Sequence, residues 1–475
     1  MPDRFRTISP LDGSVVWEGP ASTPAEVAAA IRRACDAAPG WWAVPPAGRA
    51  AIVRRYAEQL DRRRDAFAEL LTREVGKLPW DARGEVAAAT AKAELSIRAW
   101  QQRRPDERVQ DGNVTRVVRY RPIGVSLVLG PFNFPLHLPG GQIIPLLLAG
   151  NPVVFKPSEL ATGVAEQMRT AWLDAGLPPD VLQLVRGGAD VAAAAIDAEE
   201  LGGVFLTGSR SAGEAIHRRL AGRPEVLLAF ELGGNSPVVV APDADPTAAA
   251  AALSFAAFVS SGQRCTCARR ALFVRGDASA AQIDALIERS RGLRVGDPGD
   301  RPSPHLGPLV SPAAAGRLRA AYDRLLGLGC RAVLPLRAQG NRVHPTIVDA
   351  TGLGHEAWGQ IGATEWFGPL LVIRRSDDFS AALMDAARSP YGLAAALFGG
   401  SEAMFEQCLR AVPAGVMHHN RPTTGAAGVM PFGGLGASGN HRPAGYHAID
   451  ACGDPIASLQ QAELDPADPW DLTQA

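Results

Sequence analysis

A repeated order of strand, loop and helix most constrains how this chain can fold. Short apolar strands separated by loops and helices are predicted at residues 125–129, 152–155, 181–185, 203–207 and 226–232. Strands of this kind are typical of a parallel sheet covered by helices on both faces. Ligands of such sheets bind beyond the carboxyl ends of the strands, where the polar loops of this chain are expected.

A second α/β pattern begins near Ser236, so we predict a domain boundary near Gly233-Gly234. The N-terminal part is predicted to be a helical scaffold, with amphipathic helices over residues 23–38, 47–76 and 80–101. Residues 114–120 combine β-branched side chains with two arginines. This mixture predicts a partly exposed strand, as in a strand that pairs with another subunit.

Charge and hydropathy exclude two classes of partner. The 475 residues carry a net charge of −1 and are 47% hydrophobic, so no nucleic acid partner is expected. The most apolar region, residues 125–155, is interrupted by prolines and glycines, so no membrane span is expected. Six cysteines show no framework spacing, and residues 1–11 lack the apolar core of a signal peptide. These features favour a cytoplasmic protein.

Cys265 lies in a polar, small-residue turn that begins at Ser261 and ends at Cys267. Buried structural cysteines usually lie in apolar runs, whereas Cys265 directly follows Arg264, and a neighbouring cation favours the reactive thiolate. Taken alone, the stretch is also compatible with an inert packed cysteine, which is the commoner case. Partners elsewhere in the chain are needed to decide.

Polar residues at the ends of the predicted strands are candidates for such partners. Asn133 is an amide that could donate to an oxyanion, and Glu231 is a carboxylate that could act as a base if burial raises its pKa. Lys156 and Glu159 suit the hydroxyls of an adenosine ribose, and the turn 208–213 could bind a phosphate at a helix N-terminus. Each of these residues, taken singly, is also compatible with an ordinary structural role.

Other motifs carry no prediction of chemistry. Residues 434–439 match G-x-G-x-x-G, but no strand precedes them, so they are interpreted as a mobile, close-packed loop. The pair His418-His419 lacks partners at any usual metal-ligand spacing, and no metal is predicted.

Together these motifs resemble the aldehyde dehydrogenase superfamily. The resemblance is carried, in chain order, by residues 131–135 (PFNFP), 156–159 (KPSE), 208–213 (GSRSAG), 231–234 (ELGG), 262–265 (GQRC), 365–369 (EWFGP) and 431–434 (PFGG). It implies an α/β fold with a parallel-sheet dinucleotide-binding domain, an α/β catalytic domain and a small β oligomerisation arm. The implied boundaries are 1–102 with 122–232 for the NAD-binding domain, 233–435 for the catalytic domain, and 103–121 with 445–465 for the arm.

The resemblance also implies a role for each matched residue. Cys265 would be the nucleophile, Asn133 would stabilise the oxyanion, and Glu231 would activate water to hydrolyse the thioester. The cofactor would be NAD, bound by Lys156, Glu159, Gly208, Ser209, Gly213, Leu232, Glu365 and Phe367. Glu159 favours NAD over NADP because its carboxylate would repel a 2′-phosphate. The subunit would assemble as a homodimer or homotetramer.

Three stretches resemble most closely a branch of the superfamily that oxidises an anionic semialdehyde in arginine catabolism: 263–270, 420–426 and 433–443. Arg264 and Arg442 are therefore the candidate anchors for substrate carboxylates, although either could instead pack against its own backbone. A dehydrogenase for another small aldehyde and a non-catalytic structural relative are the alternatives. The presence of Cys265, Glu231 and Asn133 argues against the second.

Overall fold

The N-terminal segment is mainly helical. The structure, a computed structural model, describes residues 4–464, so residues 1–3 of the predicted first domain and residue 465 of the predicted arm lie outside it. A two-stranded hairpin precedes four helices: β1 (Arg4–Ile8), β2 (Val15–Pro20), α1 (Pro24–Ala43), α2 (Pro46–Arg62), α3 (Arg64–Val75) and α4 (Pro79–Arg103). A capping box between Thr23 and Glu26 satisfies backbone donors at the start of α1.

The prediction of one continuous helix over residues 47–76 was wrong. The chain leaves helical geometry at Arg63 (φ −105°, ψ 17°), which separates α2 from α3. Buried side chains recur at helical spacing on both sides of this break, for example Leu60 and Phe67. The apolar pattern therefore continues across a kink that it does not reveal.

A hairpin follows α4 and was only half predicted. It comprises β3 (Glu107–Asp111) and β4 (Val114–Pro122), which pair antiparallel across Gly112 at φ +61°. β4 contains the predicted strand over residues 114–120. All five residues of β3 are exposed, and they do not alternate between apolar and polar side chains. Its sequence therefore does not predict a strand.

The first large sheet has five strands that pair in parallel. Its strands and helices are β5 (Val125–Leu129), α5 (His137–Ala149), β6 (Val153–Lys156), α6 (Thr162–Asp174), β7 (Leu182–Leu184), α7 (Ala189–Ile196), β8 (Leu201–Thr207), α8 (Arg210–Arg219) and β9 (Leu227–Glu231). The strand order is β7-β6-β5-β8-β9. Chain order reverses at β5, and the crevice beyond the carboxyl end of such a strand is the expected ligand position.

The second large sheet has seven strands and begins after Gly233-Gly234. The elements of this region are β10 (Ser236–Val240), α9 (Pro246–Phe258), β11 (Ala268–Val274), α10 (Ser279–Arg291), α11 (Pro312–Gly327), β12 (Arg331–Leu334), β13 (Ala338–Gln339), β14 (Arg342–Val343), β15 (Thr346–Asp349), α12 (His355–Gly362), β16 (Leu370–Ser376), α13 (Phe379–Ala387), β17 (Tyr391–Gly392), β18 (Ala394–Phe398), α14 (Glu402–Ala411) and β19 (Val416–His419). The order within the sheet is β12-β15-β16-β11-β10-β18-β19.

The C-terminal segment returns to the hairpin of β3 and β4. It contains β20 (Pro431–Phe432), β21 (Leu435–Gly436), β22 (Ala444–Gly445) and β23 (Gly453–Gln460). β23 pairs antiparallel with β4, which gives a three-stranded sheet in the order β23-β4-β3. The predicted strand over residues 114–120 is thus paired within the subunit with a strand from the C-terminal segment. The chain has the predicted α/β architecture, with two large sheets and a small β sheet.

Candidate active site

A cavity of about 710 Å³ lies beyond the carboxyl ends of the first sheet and reaches the thiol turn. The predicted site residues that line it are Asn133, Lys156, Glu159, Gly208, Ser209, Glu231, Leu232, Cys265, Glu365 and Phe367. These residues come from distant parts of the sequence and from both large sheets. The cavity has the volume typical of a cofactor site.

The turn before Cys265 has a strained backbone. Ser260, Ser261 and Gly262 all have positive φ, at 53°, 55° and 70°. Non-glycine residues rarely adopt this conformation, and such strain is found mainly where the surrounding structure enforces it for function. Ser260 Oγ donates to Asp81 Oδ2 at 2.5 Å and Ser261 Oγ donates to the Gly307 carbonyl at 2.7 Å, so both serines are fixed from outside the turn.

Two further groups fix the turn around the thiol. Asn133 Nδ2 donates to the Gln263 carbonyl at 2.9 Å, so the predicted oxyanion donor contacts the backbone two residues before Cys265. Arg269 is fully buried, and its guanidinium donates to the carbonyls of Gly262 (2.7 Å) and Arg264 (3.1 Å). Arg269 was not among the predicted site residues. Two adjacent arginines, Arg269 and Arg270, near the start of a strand that is otherwise apolar were the signal that could have identified it.

The expectation that Arg264 favours the thiolate was wrong. Burial raises the pKa of Cys265 to about 12, and the negative charges of Glu231 and Glu365 act in the same direction. The Arg264 guanidinium is engaged elsewhere, since Nη2 pairs with Asp81 Oδ1 at 2.8 Å. Formation of the thiolate therefore needs a base close to the thiol.

Glu231 has the properties of such a base. It ends β9, only 6% of the residue is exposed, and burial raises the pKa of its carboxyl group well above the ordinary value. Oε1 accepts from the Ala444 N–H at 3.2 Å, whereas buried Oε2 has no hydrogen-bond partner among the described residues. A carboxylate with a raised pKa and a free acceptor atom can take a proton near neutral pH.

The N-terminus of α8 faces the same cavity and suits a phosphate group. Ser209 caps the helix by accepting from the Ala212 N–H at 3.2 Å. At Gly213 an added Cβ would lie 2.9 Å from the Leu232 side chain, so glycine allows the helix to pack directly against the end of β9. Backbone N–H groups at a helix start attract anions, which fits the diphosphate of a dinucleotide.

Lys156 and Glu159 lie at the end of β6, also on the cavity wall. Lys156 is buried, and its Nζ donates to the Pro157 carbonyl at 2.7 Å. Glu159 is exposed, and its Oε2 lies 4.0 Å from Lys156 Nζ. The Lys156 ammonium can donate to a ribose hydroxyl, and the Glu159 carboxylate can accept from one, so the pair suits a ribose.

Glu365 and Phe367 line the part of the cavity near the thiol. Glu365 Oε1 accepts from the Gly234 N–H at 3.1 Å, and a Cβ on Gly233 would lie 1.9 Å from Glu365 Oε2. Phe367 packs edge-on against Phe132, with ring centroids 5.9 Å apart. The absence of a side chain at Gly233 therefore leaves the space that the carboxylate occupies.

The two predicted substrate anchors do not line this cavity. Arg264 is bound to Asp81 and, through Nε, to Ser260 Oγ at 2.8 Å. Arg442 is exposed, and its Nη1 donates to the carbonyl of the preceding His441 at 3.3 Å. Arg442 lines a smaller cavity behind Glu231. Their roles as substrate anchors stay predictions.

The loop over residues 434–439 supports the catalytic strand and is not a dinucleotide fingerprint. Leu232 N–H donates to the Ser438 carbonyl at 3.0 Å, and Glu231 and Gly439 form an isolated antiparallel bridge. The predicted close packing of this loop is confirmed, since a Cβ on Gly434 would lie 2.2 Å from the Ser438 side chain, whereas its mobility stays a prediction.

The structure describes neither a metal cluster nor a membrane helix. Within residues 4–464, no group of three His, Cys, Asp or Glu side chains could hold a metal ion. Over the same range, no helix combines the length and apolar character needed to cross a membrane.

Comparison with known proteins agrees with this geometry. Residues 1–454 match the aldehyde dehydrogenase family. The chain belongs to the aldehyde dehydrogenase family. It is an enzyme of the oxidoreductase class that acts on an aldehyde with a nicotinamide cofactor. The prediction of family and fold is confirmed.

Individual relatives span nearly the whole chain. N-succinylglutamate 5-semialdehyde dehydrogenase from Paraburkholderia xenovorans is 43% identical, over 97% of this chain and 94% of the relative. The structure of PnpE in complex with nicotinamide adenine dinucleotide has a TM-score of 0.91 at 26% identity, covering 98% of this chain and 96% of that one. NADP-dependent glyceraldehyde-3-phosphate dehydrogenase from Bacillus halodurans, complexed with NADP, has a TM-score of 0.90 at 26% identity, covering 97% and 96%.

Proposed function

We propose that this enzyme oxidises N-succinylglutamate 5-semialdehyde to N-succinylglutamate, with NAD as the electron acceptor. The main support is the 43% identity, over 97% of the chain, to an enzyme named for this substrate. A dehydrogenase of the same mechanism for another aldehyde is the alternative. The cavity that joins the thiol to the cofactor residues fits either substrate.

The proposed chemistry assigns one task to each polar group near the thiol. Glu231 accepts the Cys265 proton, and Sγ attacks the aldehyde carbon to form a thiohemiacetal. The developing oxyanion accepts hydrogen bonds from Asn133 Nδ2 and the Cys265 backbone N–H. When bound, the nicotinamide supplies a hydride acceptor, and loss of hydride from the substrate carbon leaves a thioester on Cys265. Glu231 then releases to solvent the proton that it took from Cys265. It next takes a proton from water, which attacks the thioester; the C–S bond breaks, and the carboxylate product leaves a free Cys265.

Asn133 can serve as the oxyanion donor without giving up its present hydrogen bond. Its Nδ2 already donates to the Gln263 carbonyl, but an amide nitrogen has two hydrogens. The bond to Gln263 uses one hydrogen and orients the second. This arrangement supports the role because a donor held in place costs little reorganisation during the reaction.

The test is NADH formation by the purified enzyme with three aldehydes: N-succinylglutamate 5-semialdehyde, succinic semialdehyde and butanal. A kcat/KM that is several orders of magnitude higher for the succinylated substrate supports the proposal. A preference for one of the other two aldehydes would keep the mechanism and discard the substrate. Cys265→Ala is the control, and it should form no NADH with any of them.

The choice of NAD over NADP rests on Glu159. Its carboxylate lies on the wall assigned to the adenosine ribose, where it would repel a 2′-phosphate. Replacing Glu159 by Gln should raise kcat/KM for NADP about fivefold, since like charges a few ångströms apart in water repel by roughly 1 kcal/mol. Steady-state kinetics with both cofactors measure this. An unchanged NADP:NAD ratio would contradict the assignment.

We also propose a homo-oligomeric, cytoplasmic enzyme. The small sheet of β3, β4 and β23 supports assembly, because its outer strands present unpaired backbone edges. All six cysteines are free thiols, which supports a reducing compartment.

A further inference from the structure

Lys92 is a buried cation without a carboxylate partner among the described residues. It lies on α4, only 5% of the residue is exposed, and its Nζ donates to the Gly445 carbonyl at 3.2 Å. Burial lowers the pKa of Lys92 to about 8, so the ammonium is still mostly charged at neutral pH. A buried charge that lacks a counter-ion is unfavourable unless a ligand supplies one.

The neighbouring charges do not provide that counter-ion. Lys77 Nζ pairs with Glu85 Oε2 at 2.7 Å, and Arg264 pairs with Asp81. Both pairs flank the Phe134 ring, which has Lys77 Nζ 3.4 Å and Arg264 Cζ 5.1 Å from its centroid. Glu85 and Asp81 are thus already paired with other cations. The charge of Lys92 is therefore not balanced by either of them.

The position of Lys92 is tied to the catalytic base. Gly445, which accepts its hydrogen bond, follows Ala444, whose N–H donates to Glu231 Oε1. Both residues form β22, and this strand pairs with Phe432, which lines the main cavity. The ammonium and the Glu231 carboxylate therefore contact adjacent residues of one backbone segment.

A second unpartnered polar atom lies next to Lys92. The His137 ring forms a hydrogen bond with the backbone of Ala88, one helical turn before Lys92 on α4, and its buried Nδ1 has no partner. Burial and the charges of Lys92 and Lys77 lower the pKa of His137 to about 3, so the ring is neutral. With the other nitrogen bonded to Ala88, Nδ1 is a free acceptor.

Lysine is rare in this chain, which makes Lys92 unusual. Of the 48 lysines and arginines, only three are lysines, and Lys77, Lys92 and Lys156 are all buried. An ammonium is compact, whereas a guanidinium needs room for a planar group with five donors. A Cβ on Gly141 of α5 would lie 3.5 Å from Lys92 Cε, so α5 passes close to the end of this lysine side chain.

We propose that Lys92 and His137 form the subsite for the charged end of the aldehyde substrate. The ammonium pairs with a substrate carboxylate, and His137 Nδ1 accepts an amide N–H. An N-acylated amino acid presents both groups on one carbon, so the subsite suits that class of semialdehyde. The amide contact rests on the proposed function, but the carboxylate contact requires only an anionic aldehyde.

The test replaces Lys92 by Met, which keeps the length of the side chain and removes its charge. The KM for N-succinylglutamate 5-semialdehyde should rise roughly 10- to 100-fold, the range expected for a lost hydrogen bond to a charged group. The KM for butanal should stay within about twofold of the wild-type value. The melting temperature should not fall, because the variant removes an uncompensated buried charge. Arg98→Met is the matched control, because it removes a positive charge from the exposed face of the same helix.

Other results would overturn the subsite. An equal loss of kcat/KM for butanal and the semialdehyde, or a lowered melting temperature, would show that Lys92 only supports the backbone at Gly445. An unchanged KM for every carboxylated aldehyde would show that it binds no carboxylate. If the wild-type enzyme prefers succinic semialdehyde and Lys92→Met raises the KM for it, the subsite stands and the proposed substrate fails.

Discussion

At the scale of single residues, the site contains groups whose ionisation is opposed by their surroundings. Burial raises the pKa of both Cys265 and Glu231, and each negative charge disfavours the other. With the thiol protonated, the pair carries at most one negative charge, which is the arrangement that burial favours. One group can become nucleophilic only when the other takes its proton. The same carboxyl group is then protonated near the thiol and must release that proton before it can activate water.

Replacing Glu231 by Gln tests this coupling. The amide cannot accept a proton, so kcat should fall about 100-fold or more, the usual contribution of a general base. The kcat of the wild-type enzyme should fall as the pH drops through the raised pKa of Glu231, because the protonated carboxyl group is not a base. This limb of the pH profile should be absent from the variant. Steady-state rates across pH measure both effects, and a variant that keeps the same limb would assign it to another group.

At the scale of secondary-structure elements, the turn between α9 and β11 determines where the thiol lies. Gly262 has φ +70°, and an added Cβ would lie 2.2 Å from the Gly368 carbonyl oxygen. Backbone cannot move aside as the end of a flexible side chain can. The turn is therefore packed against Gly368 in the segment that precedes β16. The same segment contains Glu365 and Phe367.

Gly262→Ala should destabilise the protein and lower activity. The positive φ alone costs a non-glycine residue roughly 1–2 kcal/mol, and the contact with Gly368 adds to that cost. Gly327→Ala is the matched control, because Gly327 ends α11 and an added Cβ meets no atom within 4 Å. The control should be neutral or more stable by up to about 1 kcal/mol. Urea unfolding of both variants measures the difference, and equal stabilities would contradict the role of the turn.

Sequence reasoning succeeded where a local pattern decides an element. The strands of the first sheet are short apolar runs, and the loops at their carboxyl ends contain Asn133, Lys156 and Glu231, which the fold brings to one cavity. It failed where the deciding interaction is distant in sequence. β3 has no apolar pattern in its sequence, and it is a strand only because it pairs with β4. The pairing of Arg264 with Asp81 joins residues 183 positions apart, so the sequence could not show that this guanidinium already has a carboxylate partner.

At the scale of the whole molecule, both edges of the small sheet are left without a neighbouring strand by the described part of the subunit. Its edge strands β3 and β23 carry exposed apolar side chains, including Val109 (51% exposed) and Leu459 (76% exposed). Exposed edges with apolar side chains tend to pair with another chain. This observation is the physical basis for assigning the sheet to assembly.

The double variant Ile456→Asp/Leu459→Asp should therefore sediment as a monomer, whereas the wild-type enzyme should sediment as a dimer or tetramer. Charges on β23 would be desolvated in an interface but remain hydrated in the free subunit, so the fold should be retained. Leu464→Asp is the matched control: Leu464 is 97% exposed but lies beyond β23, and its replacement should leave the assembly unchanged. Sedimentation velocity with circular dichroism separates dissociation from unfolding. If the double variant stays assembled at low micromolar concentration, another surface joins the subunits.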